Sequence, residues 1–155
     1  MNDFEDHPTG ENEIGAMARD CLLMRTRLVS RVVTTIYDEA LRPFGILSPQ
    51  FALLLVIAKI GPASRAEIGR FHRQDRSTLT RNVKPMLAAG WIEEVQDSAR
   101  GRARRIAVTK AGGRLLQEAA PAWGSAQRRT KAKLGGGTDV VADIADRLMK
   151  EHAPA

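Results

Sequence analysis

A loop of closely spaced arginines has the most readable chemistry in this sequence. Within six residues it holds Arg100, Arg102, Arg104 and Arg105. These cations repel one another, and a wall of phosphates beside the loop would relieve that repulsion. Short apolar strands over residues 91–95 and 106–108 are predicted to hold the loop as a hairpin. The pattern predicts contact with duplex DNA beside its minor groove, with a merely solvated basic hairpin as the alternative.

A helix predicted over residues 75–89 carries the second informative set of side chains. At about 100° per residue, its apolar residues fall on one side. They are Leu79, Val83, Met86 and Leu87. The opposite face carries Ser77, Arg81, Lys84 and Ala88, with Thr78 near its edge. Short side chains allow close approach and Arg can fork onto guanine O6 and N7, so this face suits the major groove. A mixed polar face exposed to solvent is the alternative.

The elements around these two sets have a recognisable order. A short helix is predicted over residues 64–71, because Ser64 and Glu67 form a capping box in which each side chain accepts from the other's backbone N–H. Residues 72–74 make a tight turn, and Asp75 caps the next helix. Helix, turn, helix and basic hairpin together define a winged helix-turn-helix, which places its second helix in the major groove.

Long helices flank this central unit. One is predicted over residues 14–42, and another runs from the N-cap Thr109 to about residue 133, where glycines 135–137 end it. Between the first long helix and the central unit, Ser48 is expected to cap a further helix. Thr138 is expected to open a final one. The apolar faces of the flanking helices are wider than one small lobe can cover, which indicates a homodimer.

We therefore expect a mainly α (α+β) fold, a winged helix-turn-helix with long N- and C-terminal dimerisation helices. Residues 1–13 are polar and acidic and are expected to form a disordered tail. Residues 14–47 hold the N-terminal dimerisation helix and residues 48–109 the DNA-binding lobe. Residues 110–155 hold the C-terminal dimerisation helices.

The net charge of +6 is distributed unevenly along the 155 residues. Residues 1–20 carry six acids against one arginine, whereas residues 64–105 carry ten Arg and Lys against five acids. Positive charge is thus concentrated where the helix-turn-helix is predicted, as a phosphate-binding surface requires.

Several classes of function find no support in the sequence. No apolar run approaches membrane-spanning length and the acidic N-terminus is unlike a signal peptide, so we expect a cytoplasmic protein, on the bacterial nucleoid when bound to DNA. His7, His72 and His152 lack metal-ligand spacing, so no metal is expected. No nucleophile motif, phosphate loop or paired-carboxylate site appears, so we expect neither an enzyme nor a cofactor.

Several short segments are each weak as motifs but specific in their order and spacing. They are Arg76-Ser77-Thr78-Leu79-Thr80-Arg81, Leu87 with Gly90-Trp91-Ile92, Arg102 leading to Val108-Thr109-Lys110-Ala111-Gly112, Tyr37-Asp38-Glu39-Ala40-Leu41-Arg42-Pro43 and Ser48-Pro49-Gln50-Phe51. Through them the chain, over roughly residues 20–130, resembles the MarR family of bacterial transcription regulators. The resemblance implies a homodimer that binds a pseudo-palindromic operator in double-stranded DNA, often as a repressor.

Residue roles follow from these patterns. The predicted DNA contacts are Ser64, Arg65, Arg73, Arg76, Ser77, Thr78, Thr80, Arg81, Lys84, Arg100, Arg102 and Arg104. The resemblance also implies release by a small apolar or aromatic effector held in a crevice beside the DNA-binding lobe. The residues expected to line that crevice are Met24, Leu28, Phe44 and Trp123.

Two other functions stay open at this point. One is a dimeric architectural protein that binds nucleic acid without sequence choice. The other is a redox regulator acting through Cys21, because one branch of the resembled family senses organic hydroperoxides through a cysteine in its first helix. Aligned on Ser30-Arg31, that cysteine falls at Leu23, about 200° around a helix from Cys21, which favours an inert thiol.

Overall fold

A computed structural model describes residues 8–96 and 104–151 of the chain. The chain divides into two compact units, Met1–Thr35 and Ile36–Ala155. Seven α-helices and two strands lie in the described residues: α1 Pro8–Asp20, α2 Leu22–Leu41, α3 Ser48–Ile60, α4 Arg65–His72, α5 Arg76–Ala88, β1 Ile92–Gln96, β2 Arg104–Val108, α6 Lys110–Leu134 and α7 Gly137–Lys150. The mainly α class and the winged-helix order are confirmed.

The first unit differs from the sequence prediction at both ends of its first helix. Helix α1 begins at Pro8, so residues 8–13 are helical rather than part of a disordered tail. Proline is tolerated at the first helical position, where its missing N–H has no helical partner in any case. The single helix expected over residues 14–42 is two helices, because the chain leaves helical geometry at Cys21.

A side chain one turn further along compensates for this break. The Arg25 guanidinium donates to the carbonyl oxygen of Arg19, near the C-terminal end of α1. The last carbonyls of a helix lack helical partners, and a cation there stabilises them. No glycine or proline marks the position, so apolar periodicity could not reveal it.

The core of the second unit is built on α3, whose buried face carries Phe51, Leu53, Leu54 and Ile57. The predicted N-cap of α3 is wrong. Leu47 rather than Ser48 is the N-cap residue, and the Ser48 side chain does not cap the helix. Gln50 Oε1 accepts from the Leu47 N–H at 3.1 Å, and Asp38 Oδ1 accepts from the Ser48 N–H at 2.7 Å. Gln50 and Asp38 thus satisfy the N–H groups of Leu47 and Ser48 at the start of α3.

The helix-turn-helix follows its predicted bounds closely. The Ser64 N–H donates to Glu67 Oε2 at 2.7 Å, and the Glu67 N–H donates to Ser64 Oγ at 3.2 Å, so the capping box is present. Helix α4 ends at His72 and is followed by the C-cap residue Arg73, whose φ of 50° is left-handed. The turn closes tightly over Gly69, where an added Cβ would lie only 3.2 Å from the Gln74 carbonyl oxygen.

The wing is an antiparallel pair of strands attached to the helix-turn-helix. Strand β1 pairs with β2 so that Ile92 faces Val108 and Glu94 faces Ile106. Ala63, just before α4, exchanges two backbone hydrogen bonds with Ile106, at 3.1 and 2.8 Å. This third, one-residue strand was not predicted, and it fixes the start of α4 beside β2.

The long C-terminal helix α6 begins against the wing. Thr109 caps it by accepting from the Gly112 N–H at 3.1 Å, while its own hydroxyl donates to the Gly90 carbonyl at 2.6 Å. Further along, Tyr37 donates to Gln127 Oε1, and Glu39 pairs with Arg129 at 2.7 Å. Burial raises the pKa of Tyr37. These contacts bind the end of α2 to α6 within the second unit.

Many of the exposed apolar residues lie on α1, α2 and α7. In α7 they are Val140, Val141, Ile144, Leu148 and Met149. In the first unit they are Ile14, Met17, Leu22, Leu23, Met24, Leu28 and Val29.

Within the described ranges no single helix is long and apolar enough to cross a membrane; only a bent pair, Leu22–Phe44 with Ser48–Ile60, reaches that length and composition.

Candidate nucleic-acid interface

Helix α5 presents the polar face that its sequence predicts. Leu79, Val83 and Met86 are buried in the core, whereas Ser77, Arg81 and Lys84 are exposed on the other side of the helix. A recognition helix needs this division, because the apolar face fixes its position while the polar face remains accessible to base edges.

Asp75 organises the first turn of α5. Its Oδ1 accepts from the backbone N–H groups of Ser77 and Thr78, each at 2.9 Å. The Ser77 hydroxyl also donates to Oδ1 and the Thr78 hydroxyl donates to Oδ2, both at 2.6 Å. The Ser77 hydroxyl, followed by the other three donors, holds the pKa of Asp75 well below its usual range. A carboxylate at this helix N-terminus therefore fixes the orientation of two predicted DNA contacts.

The remaining predicted contacts of α5 differ in how constrained they are. The Thr80 hydroxyl donates to the Arg76 carbonyl at 2.8 Å, which turns it toward its own helix. Arg81 and Lys84 are exposed cations that form no ion pair with any residue in the part of the chain that the structure describes. These two side chains are therefore the freest to reach a ligand.

A concave groove of about 1000 Å³ lies between α4 and α5. Its lining includes the small or apolar residues Ala66, Gly69 and Leu79 and one acid, Asp75; the arginines that line it are Arg65, Arg70, Arg73 and Arg76. Three of these four arginines, Arg65, Arg73 and Arg76, are among the predicted DNA contacts; the fourth, Arg70, is not. Four guanidinium groups against one lining carboxylate give the groove a net attraction for anions.

The tip of the wing lies outside the described residues, and with it Arg100 and Arg102. Arg104, on β2, is described, and its Nη1 lies 2.8 Å from Glu94 Oε2. The other oxygen of Glu94 lies 2.6 Å from Arg65 Nη2, at the start of α4. The Arg104 hydrogen bond is the main cause that lowers the pKa of Glu94. Two predicted DNA contacts thus share one carboxylate.

A second carboxylate connects the wing to α4. Arg105 Nη2 donates to Glu67 Oε2 at 3.1 Å, in addition to the capping hydrogen bond from the Ser64 N–H. The backbone hydrogen bond of Ser64, together with its hydroxyl and Arg105, lowers the pKa of Glu67 to about 2. Arg105 is therefore part of the scaffold, unlike its neighbour Arg104, whose side chain is 74% exposed.

Sequence reasoning missed Glu94 and the second role of Glu67. Glu93 and Glu94 are adjacent acids in a predicted strand, and the sequence alone does not indicate which residues they contact until the strand register is known. The register places Glu94 diagonally opposite Arg104, and the Ala63 bridge brings Arg65 to the same place. Pairing acids with arginines across the predicted hairpin could have found the Glu94–Arg104 contact. It could not have found the Glu94–Arg65 contact, because Arg65 lies outside the hairpin.

The other predicted sites have different outcomes. Met24 and Leu28 lie in the first unit, and Phe44 and Trp123 in the second, so an effector crevice lined by all four stays a prediction. Cys21 is partly exposed at the break between α1 and α2. Among the described residues, no group of three His, Cys, Asp or Glu side chains could hold a metal ion.

Comparison with known proteins agrees with the winged-helix architecture. The sequence model of the MarR family matches residues 44–103. The chain is 28% identical over 89 residues to YwoH, an HTH-type transcriptional regulator of Bacillus subtilis. That match covers 57% of this chain and spans 64% of YwoH, which is less than two thirds of its length.

Solved structures extend the similarity over most of the chain. The transcriptional regulator MosR of M. tuberculosis, in complex with DNA, is 33% identical with a TM-score of 0.71, over 85% of this chain and 96% of MosR. A cysteine-to-serine variant of E. coli MarR, complexed with operator DNA, has the same fold at 22% identity and a TM-score of 0.71, over 92% of this chain and 97% of MarR. This chain belongs to the MarR family of transcriptional regulators.

Proposed function

We propose that this chain is a sequence-specific double-stranded DNA-binding regulator that acts as a homodimer on a pseudo-palindromic operator. The observation that carries the proposal is the exposed polar face of α5, with Ser77, Arg81 and Lys84 opposite a buried apolar face. The arginine-lined groove beside it supplies the positive charge that phosphate binding requires.

The roles of the two basic surfaces differ in this proposal. Arg81 and Lys84 read base edges in the major groove, since neither is held by another described residue. Arg65, Arg73 and Arg76, around the groove, contact phosphates and fix the register of the protein on the duplex. The wing arginines Arg100, Arg102 and Arg104 contact the phosphates beside the flanking minor groove.

The regulatory part of the proposal is repression relieved by a small apolar or aromatic effector, acting in the cytoplasm on the bacterial nucleoid. Family membership supports this regulatory part. The exposed apolar faces of α1, α2 and α7, which a second copy would cover, support the homodimer. A homodimer places two recognition helices on one duplex, which matches an operator with two half-sites.

Selection from a random duplex pool, followed by binding of variants, tests the proposal. We expect a pseudo-palindromic consensus, and Arg81→Ala should weaken binding to it by about 1–3 kcal/mol while relaxing base preference. Arg76→Ala should weaken selected and random duplexes by the same factor, as loss of a phosphate contact does. Arg128→Ala, which removes an exposed cation from α6, is the control and should leave binding unchanged.

The outcomes separate the candidate functions. A selection that yields no consensus, together with equal losses for Arg81→Ala and Arg76→Ala on every duplex, would indicate an architectural protein without sequence choice. Absence of binding to all duplexes would exclude both.

A further inference from the structure

Glu94 is the centre of a three-residue ion cluster on the face of the DNA-binding lobe. Its two carboxylate oxygens are both engaged, one 2.6 Å from Arg65 Nη2 and the other 2.8 Å from Arg104 Nη1. Arg65 is the first residue of α4 and Arg104 the first residue of β2. The carboxylate therefore connects the helix-turn-helix to the wing through side chains alone.

A carboxylate and a phosphate compete for the same donors. Both offer negatively charged oxygens to the planar fork of a guanidinium, and a donor already aligned on one must leave it to align on the other. Arg65 and Arg104 are two of the side chains that the proposed function assigns to DNA. In the free protein both are occupied by an acid that belongs to the chain itself.

We propose that Glu94 is an internal competitor of DNA phosphate, which holds Arg65 and Arg104 in the free protein and must be displaced when DNA binds. The inference rests on the proposed function and adds a residue that sets affinity. Because Arg65 and Arg104 are assigned to backbone contacts, the competition acts equally on every sequence. The base-reading side chains of α5 are not part of the cluster, so base preference is independent of Glu94.

The neighbouring residue supplies a matched control. Glu93 carries the same charge on the same strand, but successive strand residues point to opposite faces. It forms no ion pair with any residue in the ranges 8–96 and 104–151. Glu94→Gln and Glu93→Gln therefore change the net charge equally, and only the first releases the two arginines.

The test compares the affinities of both variants for a random duplex pool and for the selected operator. Two exposed ion pairs of ordinary strength correspond to a gain of about 2- to 30-fold for Glu94→Gln, equal on both duplexes. Glu93→Gln should gain less than about twofold, because an isolated surface charge is screened by salt. In an Arg65→Ala/Arg104→Ala background the advantage of Glu94→Gln over Glu93→Gln should disappear.

Thermal unfolding of each variant checks that the fold is retained, and Glu94→Ala, which removes the acceptor oxygens altogether, should show the same gain. Equal affinities for Glu94→Gln and Glu93→Gln would overturn the inference while leaving the proposed function intact. Weaker binding by Glu94→Gln would also overturn it, because Glu94 would then position the arginines for DNA. If the parent protein bound no duplex, the proposed function and this inference would both fail.

Discussion

Gly112 is the position where one added methyl group should do the most damage. A Cβ built on Gly112 would lie far inside van der Waals contact with the Trp91 carbonyl oxygen, and 3.0 Å from both the Trp91 carbonyl carbon and Val108 Cγ1. The obstacle is largely backbone, so no side-chain rotation can relieve it. Gly112→Ala must therefore move the start of α6 away from the wing by about 1 Å.

The size of the effect follows from what that movement breaks. Overpacking alone costs about 1–3 kcal/mol. The Thr109 N–H bonds to the Trp91 carbonyl at 3.1 Å and the Thr109 hydroxyl to the Gly90 carbonyl at 2.6 Å, and each such hydrogen bond contributes about 0.5–1.5 kcal/mol. Alanine recovers up to about 1 kcal/mol through helix propensity. We expect a net destabilisation of about 3 kcal/mol, or a fall in Tm of roughly 10 °C.

Gly113 provides the control one residue further along. Beyond its chain neighbours and the backbone of its own helix, a Cβ built there would meet no atom within 4 Å, so Gly113→Ala should be neutral or stabilise the protein by up to about 1 kcal/mol. Both variants are measured by thermal and urea unfolding at one fixed protein concentration, because any self-association makes Tm concentration-dependent. If Gly112→Ala unfolds within about 0.5 kcal/mol of Gly113→Ala, the steric reasoning is refuted.

Two further predictions concern pH and assembly. The pKa of Glu67 is about 2 in the folded chain against an ordinary 4.5, so its stabilising contribution is complete above pH 4.5 and is lost as the pH falls toward 2. Glu67→Gln should flatten stability over that window in acid titrations followed by circular dichroism, and an unchanged acid limb would contradict the assignment. For assembly, sedimentation at micromolar concentration should give roughly twice the chain mass of 17.0 kDa; Ile144→Glu, on the exposed face of α7, should shift the protein toward monomer. A parent protein that sediments as a monomer would contradict the dimer.

Local signals in the sequence were enough to predict most of the DNA-binding lobe. The capping box of Ser64 and Glu67 and the N-cap Asp75 act within three residues of themselves, so their geometry is visible before any tertiary contact is known. The buried face of α5 followed in the same way from its 3.6-residue period.

The sequence did not reveal features that depend on residues far apart in the chain. It also did not reveal features for which two local patterns favour opposite structures. Ala63 pairs with Ile106, more than forty residues away, and Arg65 reaches Glu94 only because of that pairing. The helix is interrupted at Cys21 although no glycine or proline is present there. The Arg25 side chain donates to the Arg19 carbonyl, and this long side chain gives no sign in the sequence that it will do so. The polar composition before residue 14 outweighed Pro8, although proline is a helix-start signal.

The carboxylate of Asp75 determines the hydrogen-bond polarity of the surface around it. An ionised carboxylate can only accept, so the hydroxyl protons of Ser77 and Thr78 both point toward Asp75. What these two side chains show to the outside is lone pairs. Phosphate oxygens, guanine O6 and guanine N7 are acceptors as well, whereas the amino groups of adenine and cytosine are donors. A molecule that meets this turn must therefore supply the hydrogen-bond donors, and Asp75, itself exposed at the start of the helix, determines which atoms can be read there.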